Sequence, residues 1–116
     1  EDVKKYLRET TETFEAIVLD PPAFIKDRRK KHEGITGYKT INERALRTLS
    51  THGVLVTCSC SAHLTLEEFR YLLSEVGGKT KRPLAILESH THGIDHPRLV
   101  PFTEGDYLKC FIAKAD

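Results

Sequence analysis

A rigid turn presents an acid and an aromatic ring close together in this chain of 116 residues. Residues 16–19 form an apolar run of the length of a buried strand, and Asp20, Pro21 and Pro22 follow it directly. The second proline keeps Pro21 extended, and neither proline has a backbone donor, so the chain leaves the strand stiff and unpaired. Asp20 supplies a hydrogen-bonding or proton-donating group there, and Phe24 supplies a ring for stacking. Because ligands bind outside the carboxyl ends of strands in open α/β sheets, this turn predicts a site.

A second group of small polar side chains follows another apolar run. The run VLVT at residues 54–57 predicts a buried strand, and it leads into CSCS at residues 58–61. A free cysteine in such a position often packs as a small hydrophobe, and Cys58 fits that interpretation. Cys58, Cys60 and His63 together make a weak metal motif because no second cluster of ligands accompanies them. We therefore predict no metal site.

Length and composition are those of an ordinary small globular protein. Residues 1–116 are enough for one domain with a modest core, and the net charge of +1 indicates no particular class of partner. No apolar run reaches the roughly 20 residues that span a bilayer, and no secretory segment is present. Three cysteines, an odd number, argue against a disulfide framework. The sequence therefore predicts a cytoplasmic protein without a membrane partner.

Strands and helices alternate in the predicted order of elements. We expect a short helix over residues 2–11, the strand that ends at Asp20, an exposed mobile loop over residues 25–37, and a helix of about 12 residues from Tyr38. Residues 50–53 should close that helix, with Gly53 placed for a left-handed cap or a tight turn, before the strand at 54–57. A capping box at Thr65 and Glu68 begins the next helix, which should stop at Gly77 and Gly78. Strands at 83–87 and 107–113 complete an α/β sheet that is largely parallel, with its last pair antiparallel.

Five short motifs occur in an order that resembles one family. DPPAF at 20–24, GYK at 37–39, TCSCS at 57–61, DHP at 95–97 and YLKC at 107–110 resemble the bacterial large-subunit ribosomal RNA cytosine-5 methyltransferases. The resemblance implies the C-terminal half of a class I, S-adenosylmethionine-dependent methyltransferase domain. Its fold would be a partial Rossmann-like sheet of about four strands with flanking helices, and its last two strands would be antiparallel.

The same resemblance predicts that this chain lacks the main loop that binds the cofactor. In the family, a glycine-rich loop after the first strand holds most of the cofactor, S-adenosylmethionine, and this chain has no G-x-G after a strand. We therefore expect the cofactor to bind poorly and this chain to be inactive by itself. The strand from Phe14 to Asp20 would lack a neighbour and form an exposed edge, which favours a homodimer or strand exchange.

Family chemistry assigns the central role to Cys60. Cytosine C5 is a poor nucleophile, and addition of a thiolate to C6 activates it, which is covalent catalysis. By resemblance Cys60 is that nucleophile. The electron density that the ring gains on attack by sulfur favours Asp20 as the acid that hydrogen-bonds to or protonates N3 of the base. The alternative for Asp20 is a strand-end carboxylate that caps nearby amides. The remaining residues expected around substrate or cofactor are Pro21, Pro22, Phe24, Tyr38, Lys39, Ser59, Ser61, His96 and Lys109.

A basic cluster beside the predicted site indicates an RNA partner. Its members lie between residues 26 and 31 with a single acid among them, and such a cluster suits the phosphates of ribosomal RNA. A solvated loop of no function has the same composition. The predicted RNA contacts are Lys26, Arg28, Arg29, Lys30 and Lys31.

Two other functions fit the residues. A D-P-P-x-aromatic turn also suits methylation of an exocyclic base nitrogen, because it holds an amino group against an acid and a carbonyl. A non-catalytic domain for RNA binding or oligomerisation is the third interpretation. Replacement of Cys60 by alanine separates the first two, since only the C5 reaction needs the thiol.

Overall fold

Two long helices pack on one face of a four-stranded sheet. The computed structural model of the chain describes Lys5, Glu9 and residues 12–21, 28–61, 63–90 and 108–116. Lys5 and Glu9 are helical, and the rest of the helix predicted over residues 2–11 lies outside the described residues. In chain order the elements are β1 (Phe14–Leu19), a 3-10 turn (Arg28–Lys30), α1 (Lys31–Thr48), β2 (Leu49–Ser59), α2 (Leu66–Thr80), β3 (Leu84–His90) and β4 (Lys109–Ala115).

The sheet mixes parallel and antiparallel pairs in the order β1-β2-β4-β3. β1 is parallel to β2, a pairing that needs the crossover that α1 supplies, and β4 is antiparallel to both of its neighbours. The predicted antiparallel pairing of the last two strands is therefore confirmed. Within the described residues β1 lies at one edge of the sheet, which confirms the predicted edge position.

Alternate residues of β2 and β4 enter the core between sheet and helices, whereas β3 contributes only the partly buried Leu84. Leu55 of β2 and Phe111 of β4 are fully buried, and the Phe111 ring lies 5.4 Å from that of Phe69 on α2. The Phe69 ring in turn lies 6.1 Å from the ring of Tyr38 on α1, so aromatic contacts connect both helices with β4. The other face of the sheet is less covered, and Val18 of β1 is 70% exposed. The predicted apolar faces of both helices are buried: Tyr38, Ile41, Ala45 and Leu46 on α1, and Phe69, Leu72, Leu73 and Val76 on α2.

Helix α1 begins seven residues earlier than its apolar period predicts. It runs for 18 residues from Lys31, so the loop predicted over residues 25–37 is wrong for its second half. The first turns carry little apolar pattern of their own, but Gly34 is buried and Ile35 packs against the core. An ion pair of 2.6 Å between Lys31 Nζ and Glu68 of α2 also holds this end. Tertiary contacts therefore stabilise the first turns of α1 as helix, although the local sequence does not predict a helix there.

Strand β2 begins directly where α1 ends, and the predicted cap over residues 50–53 is wrong. The chain from Leu49 onwards is strand, and His52, not Gly53, takes the left-handed conformation with φ of 64°. Phe14 of β1 pairs with Leu49, and Ala16, two residues later, pairs with Val54, five residues later on β2. The extra residues of β2 therefore form a bulge in the ladder. Gly53 is required for space, because a Cβ there would lie 2.7 Å from the Leu49 side chain.

Helix α2 begins at the predicted capping box and ends later than predicted. The Thr65 hydroxyl accepts from the Glu68 amide at 3.1 Å, and the Glu68 carboxylate accepts from the Thr65 amide at 3.0 Å. The helix continues through both glycines to Thr80, and Lys81 takes the left-handed position after it with φ of 59°. Gly77 lets the chain return closely, because a Cβ there would lie 3.2 Å from the Arg82 carbonyl.

Candidate functional site

The carboxyl ends of the two parallel strands bring Asp20 and Cys60 to the same edge of the sheet. Leu19 pairs with Thr57, so Asp20 leaves β1 at the level where β2 continues into the segment that carries Cys60. Asp20 is exposed and Pro21 is buried, which anchors the turn predicted to present the acid. Cys60 is half-buried and its thiol is free. An acid and an accessible thiol at one sheet edge are the groups that the predicted chemistry needs.

Ser61 is held in the interior by two other predicted site residues. The Tyr38 hydroxyl lies 2.7 Å from Ser61 Oγ, and Lys109 Nζ donates to the Ser61 carbonyl at 2.8 Å. Tyr38, Ser61 and Lys109 are 0%, 1% and 4% exposed. The Ser61 amide also donates to Ser59 Oγ at 3.3 Å, and Ser59 is buried as well. The structure thus joins these four predicted site residues into one buried polar group beside Cys60.

The same group continues into α1 through a residue that sequence analysis missed. Asn42 donates to the Tyr38 carbonyl at 2.8 Å and accepts from the Thr57 hydroxyl at 2.6 Å. Both Asn42 and Thr57 are buried. A signal was available, since Asn42 lies four residues after Tyr38 on the apolar face of α1, where a polar residue needs a buried partner.

Cys58 and Cys110 form a disulfide between β2 and β4. They are directly opposite in the antiparallel register, with their Cα atoms 4.2 Å apart. The expectation that the three cysteines form no disulfide framework is therefore wrong for this pair. Sequence could not show this pair because the two cysteines are separated by 52 positions. Bonded in this way, Cys58 is not available as a nucleophile or as a metal ligand.

Lys39 points to a different neighbour from Tyr38. Its ammonium lies 3.3 Å from the Glu75 carboxylate, an exposed ion pair that joins α1 to α2. With Ile35 and Tyr71 it lines a groove between the two helices. The contact that the structure gives for the Lys39 ammonium is therefore Glu75.

The predicted basic cluster is only partly described. Arg29 and Lys30 are exposed, while Lys31 is engaged by Glu68. The bonds from Lys31 and from the Thr65 amide hold the pKa of the Glu68 carboxyl below its usual value of 4.5. Lys26 and the side chain of Arg28 lie outside the described part of the chain. Arg29 and Lys30 are therefore the members of this cluster that the described residues show as exposed.

Several other predicted residues have no described position. Pro22, Phe24, Asp95 and His96 all fall in segments outside the described ranges. His63 is described and half-buried, but no three His, Cys, Asp or Glu side chains come together as a metal site in the part of the chain that is described. In the same residues no helix has the length and apolar character to cross a bilayer.

Comparison with known proteins gives relatives of one kind. No protein-family model matches the chain. Ribosomal RNA large subunit methyltransferase I of Tolumonas auensis is 39% identical over 99% of this chain, and that of Cronobacter sakazakii is 35% identical over 94%. The chain spans only 30% and 27% of the lengths of these two relatives.

Solved structures share the fold. A proposed SAM-dependent methyltransferase from Streptococcus mutans superposes with a TM-score of 0.74 at 24% identity, over 98% of this chain and 29% of that one. A proposed DNA modification methylase from Thermus thermophilus, solved with S-adenosyl-L-methionine, gives 0.61 at 11% identity, over 99% of this chain and 51% of that one. The predicted fold, part of a Rossmann-like methyltransferase sheet, is confirmed.

The described residues do not fit the main part of an S-adenosylmethionine site. Both parallel strands run into turns without glycine, at Asp20-Pro21 and at Cys60-Ser61, and the adjacent glycines 77 and 78 lie inside α2. A backbone cradle for a nucleoside cofactor needs a turn where the main chain can approach closely. These residues therefore offer one wall of a site at the sheet edge. Over nearly all of its length the chain is related in sequence to part of the ribosomal RNA large subunit methyltransferases I, and its fold is part of a methyltransferase fold.

Proposed function

We propose that this chain is part of an S-adenosylmethionine-dependent methyltransferase that modifies C5 of a cytosine in large-subunit ribosomal RNA. The observation that carries this proposal is the free, half-buried thiol of Cys60 just beyond β2, at the same sheet edge as Asp20. The relatives named above are ribosomal RNA methyltransferases, which supports the substrate class. Their names do not state which atom is methylated, so the C5 position rests on the chemistry of the thiol.

Cys60 is the nucleophile in the proposed reaction. Its thiolate adds to C6 of the base, and the electrons of the C5–C6 double bond move toward N3 and the carbonyl, which makes C5 nucleophilic. S-adenosylmethionine, when bound, would supply an electrophilic methyl group for C5 and would itself leave as the neutral thioether. Water then takes the C5 proton as a base, and the electrons of the C5–H bond restore the C5–C6 double bond while the C6–S bond breaks and the Cys60 thiolate leaves. Each step conserves charge without a metal or a redox partner.

Asp20 is the acid of the same reaction. Negative charge develops at N3 when sulfur adds to C6, and a carboxyl group that donates a hydrogen bond there stabilises it. Asp20 is exposed at the end of β1, and the buried Pro21 fixes the direction of the chain after it. Pro22 and Phe24 complete this wall in the proposal. The turn therefore orients the base and Cys60 attacks it.

Most of the cofactor contacts are proposed to lie in other parts of a longer protein. Residues 1–116 then act as the C-terminal half of a catalytic domain, in keeping with relatives about three times as long. We expect this chain alone to be inactive and to bind S-adenosylmethionine weakly. Calorimetry on the isolated chain measures this, and micromolar affinity, about 8 kcal/mol of binding free energy, would contradict it.

Ribosomal RNA is proposed to contact the basic segment through Arg29 and Lys30, with Lys26 and Arg28 on the same stretch of chain. Contacts with phosphates make binding salt-dependent. Replacing Arg29 and Lys30 by glutamine should weaken RNA binding and lower the slope of affinity against salt. Lys79 and Lys81, at the C-terminal end of α2, give the matched control pair. Their replacement by glutamine should leave the slope of affinity against salt unchanged.

Self-association through β1 is proposed from its edge position. The strand leaves one row of backbone groups unpaired within the described sheet, and Val18 is exposed on it. Sedimentation of the isolated chain should show a dimer that Val18→Lys weakens. A monomer at high protein concentration would remove this part of the proposal.

The decisive experiment compares two cysteine variants in a full-length enzyme that carries this sequence. Cys60→Ala should abolish formation of 5-methylcytosine, while Cys58→Ala should retain it, because Cys58 is bonded to Cys110. RNA containing 5-fluorocytidine should trap an adduct with the wild type and none with Cys60→Ala, since fluorine at C5 blocks elimination. Full activity of Cys60→Ala would end the C5 proposal and favour methylation of an exocyclic nitrogen. Binding of RNA without any methylation would favour a non-catalytic domain.

A further inference from the structure

Ser61 is hydrogen-bonded at two different atoms by residues of two different elements. Tyr38 of α1 reaches its side-chain oxygen at 2.7 Å, and Lys109 of β4 reaches its main-chain carbonyl at 2.8 Å. The two contacts come from residues that are 23 and 48 positions away in sequence. Helix, sheet and the segment after β2 are thus tied together at one residue, which is the direct neighbour of Cys60.

The burial of Lys109 is not explained by packing. Its neighbours on the inward face of β4 are Phe111, Ala113 and Ala115, all buried and apolar. An ammonium in such surroundings costs free energy unless hydrogen bonds compensate, and an apolar side chain would avoid that cost. The Ser61 carbonyl is one partner that compensates the charge. Through this bond Lys109 helps to fix the position of the Ser61 carbonyl.

The hydrogen bonds to Ser61 act on Cys60 through the main chain. Ser59 and Ser61 are both buried, whereas Cys60 between them is half-exposed, so its side chain leaves the segment on the other side. The Ser61 amide is also held, by Ser59 Oγ. Fixing the atoms of Ser61 on both sides of its Cα therefore fixes the direction in which Cys60 presents its thiol.

We propose that Tyr38 and Lys109 are positioning residues, which hold Ser61 from two sides and so orient Cys60 for attack. This proposal rests on the proposed role of Cys60. In it Tyr38, Ser61 and Lys109 position the nucleophile and do not themselves contact RNA or cofactor. A nucleophile held in the attack geometry lowers the barrier without altering substrate affinity.

Amide hydrogen exchange tests the hydrogen bonds to Ser61 without any need for activity. Tyr38→Phe keeps the ring and removes one hydrogen bond, and Lys109→Met keeps the chain length and removes the other. Each should speed exchange at Cys60 and Ser61 by about fivefold or more, the equivalent of one ordinary hydrogen bond. The matched controls are Tyr71→Phe, on an exposed ring, and Lys114→Met, on the exposed face of β4, and neither should change exchange there.

A double-mutant comparison identifies the atoms involved. In a Ser61→Ala background, Tyr38→Phe should have no further effect on exchange, because the oxygen it contacts is already gone. Lys109→Met should keep its full effect in that background, because its partner is the main-chain carbonyl, which alanine retains. If Tyr38→Phe speeds exchange as much in the Ser61→Ala background as in the wild type, the proposal is overturned. Ser61→Ala also supplies a mild variant should Lys109→Met fail to fold.

Kinetics in a full-length enzyme separate positioning from binding. Tyr38→Phe and Lys109→Met should lower kcat by about tenfold or more while KM for RNA and cofactor stays within about twofold, and Lys109→Arg should restore part of kcat. A higher KM with unchanged kcat would show direct contact with a ligand and overturn the proposal. If Cys60→Ala stays active but the exchange results hold, the function proposed for Cys60 fails while the role of the hydrogen bonds to Ser61 in holding its segment stands.

Discussion

The Thr57 hydroxyl donates to the Asn42 side-chain oxygen at 2.6 Å, which joins the C-terminal part of β2 to the buried face of α1. Both residues are almost fully buried, so neither group can turn to water. Asn42→Leu leaves the hydroxyl without this acceptor, and we expect it to lower the free energy of unfolding by about 2 kcal/mol. Urea unfolding followed by circular dichroism measures the change.

The double variant of this pair gives the sharper result. Asn42→Leu combined with Thr57→Val removes both polar groups, and we expect it to recover at least half of the loss because no buried group is left unsatisfied. Thr40→Ala is the control, since its hydroxyl bonds the Thr36 carbonyl in an exposed position. Additive losses in the double variant would show that the pair is not a unit.

Arg82 holds the junction between α1 and β2. Its guanidinium donates to the carbonyls of Leu46 at 2.6 Å, Ser50 at 2.9 Å and Leu49, and also to that of Asp116 at 3.3 Å. A lysine has a single donor nitrogen and cannot reproduce the planar fork, whose three nitrogens are spread over four carbonyls. Arg82→Lys should therefore cost about 2 kcal/mol of unfolding free energy, nearly as much as Arg82→Ala.

The control for this variant is on the same surface of the protein. Lys114→Ala removes an exposed cation near the same end of the sheet and should change stability by less than about 0.5 kcal/mol. Thermal and urea unfolding of the three variants under one condition give the comparison. Full stability of Arg82→Lys would mean that a single donor is enough at this junction.

The disulfide between Cys58 and Cys110 predicts a defined count of thiols. Under denaturing conditions without reductant, one thiol, that of Cys60, should react with a thiol reagent, and three should react after reduction. The bond closes a loop between residues 52 positions apart, and its loss should lower stability by about 3 kcal/mol, since the unfolded chain gains freedom.

Cys110→Ser separates loss of the bond from any effect of the reductant. The variant should have the stability of the reduced wild type, and added reductant should not change it further. Three reactive thiols in the protein as isolated under air would contradict the disulfide. Cys60→Ser serves as the control, because its replacement leaves the bond in place.

Glu43 links the two helices by ion pairs and predicts a dependence of stability on pH. Its carboxylate lies 2.9 Å from Arg47 and 3.2 Å from Lys79, and these bonds, that from Arg47 foremost, hold its pKa below the usual value of 4.5 in the folded protein. At acid pH the unfolded chain therefore binds the proton first. The stabilisation is complete above about pH 4.5 and is lost as pH falls through the folded-state pKa.

Glu43→Gln should flatten this part of the profile. Its free energy of unfolding should fall less steeply than that of the wild type between neutral and acid pH, in urea titrations at low salt. High salt should shrink the difference, because the partner cations are solvent-exposed. Glu75→Gln, which removes the other exposed pair between the helices, is the control and should leave the steepness unchanged. Parallel profiles of Glu43→Gln and wild type would contradict the assignment.

Local patterns were sufficient for the elements and their buried faces. The residues Tyr38, Ile41, Ala45 and Leu46 recur at helical spacing and are buried as that spacing requires. The capping box at Thr65 and Glu68 marks the start of α2 because both of its hydrogen bonds are made within four residues. The ends of elements were less predictable. Lys31 begins α1 through a contact with α2, and Lys81 takes the left-handed cap after α2 although two glycines precede it.

By itself, the sequence determined that Asp20 and Cys60 follow two apolar strands, since composition and spacing within a few residues carry that information. Tertiary structure alone decided what lies behind Cys60. Tyr38 and Lys109 meet at Ser61 across 23 and 48 positions, and Cys58 meets Cys110 across 52. Contacts over such separations depend on the order of strands and the register of β2 against β4, which no local pattern encodes. The groups proposed to react can therefore be found in the sequence, and the groups proposed to hold them in place appear only in the folded chain.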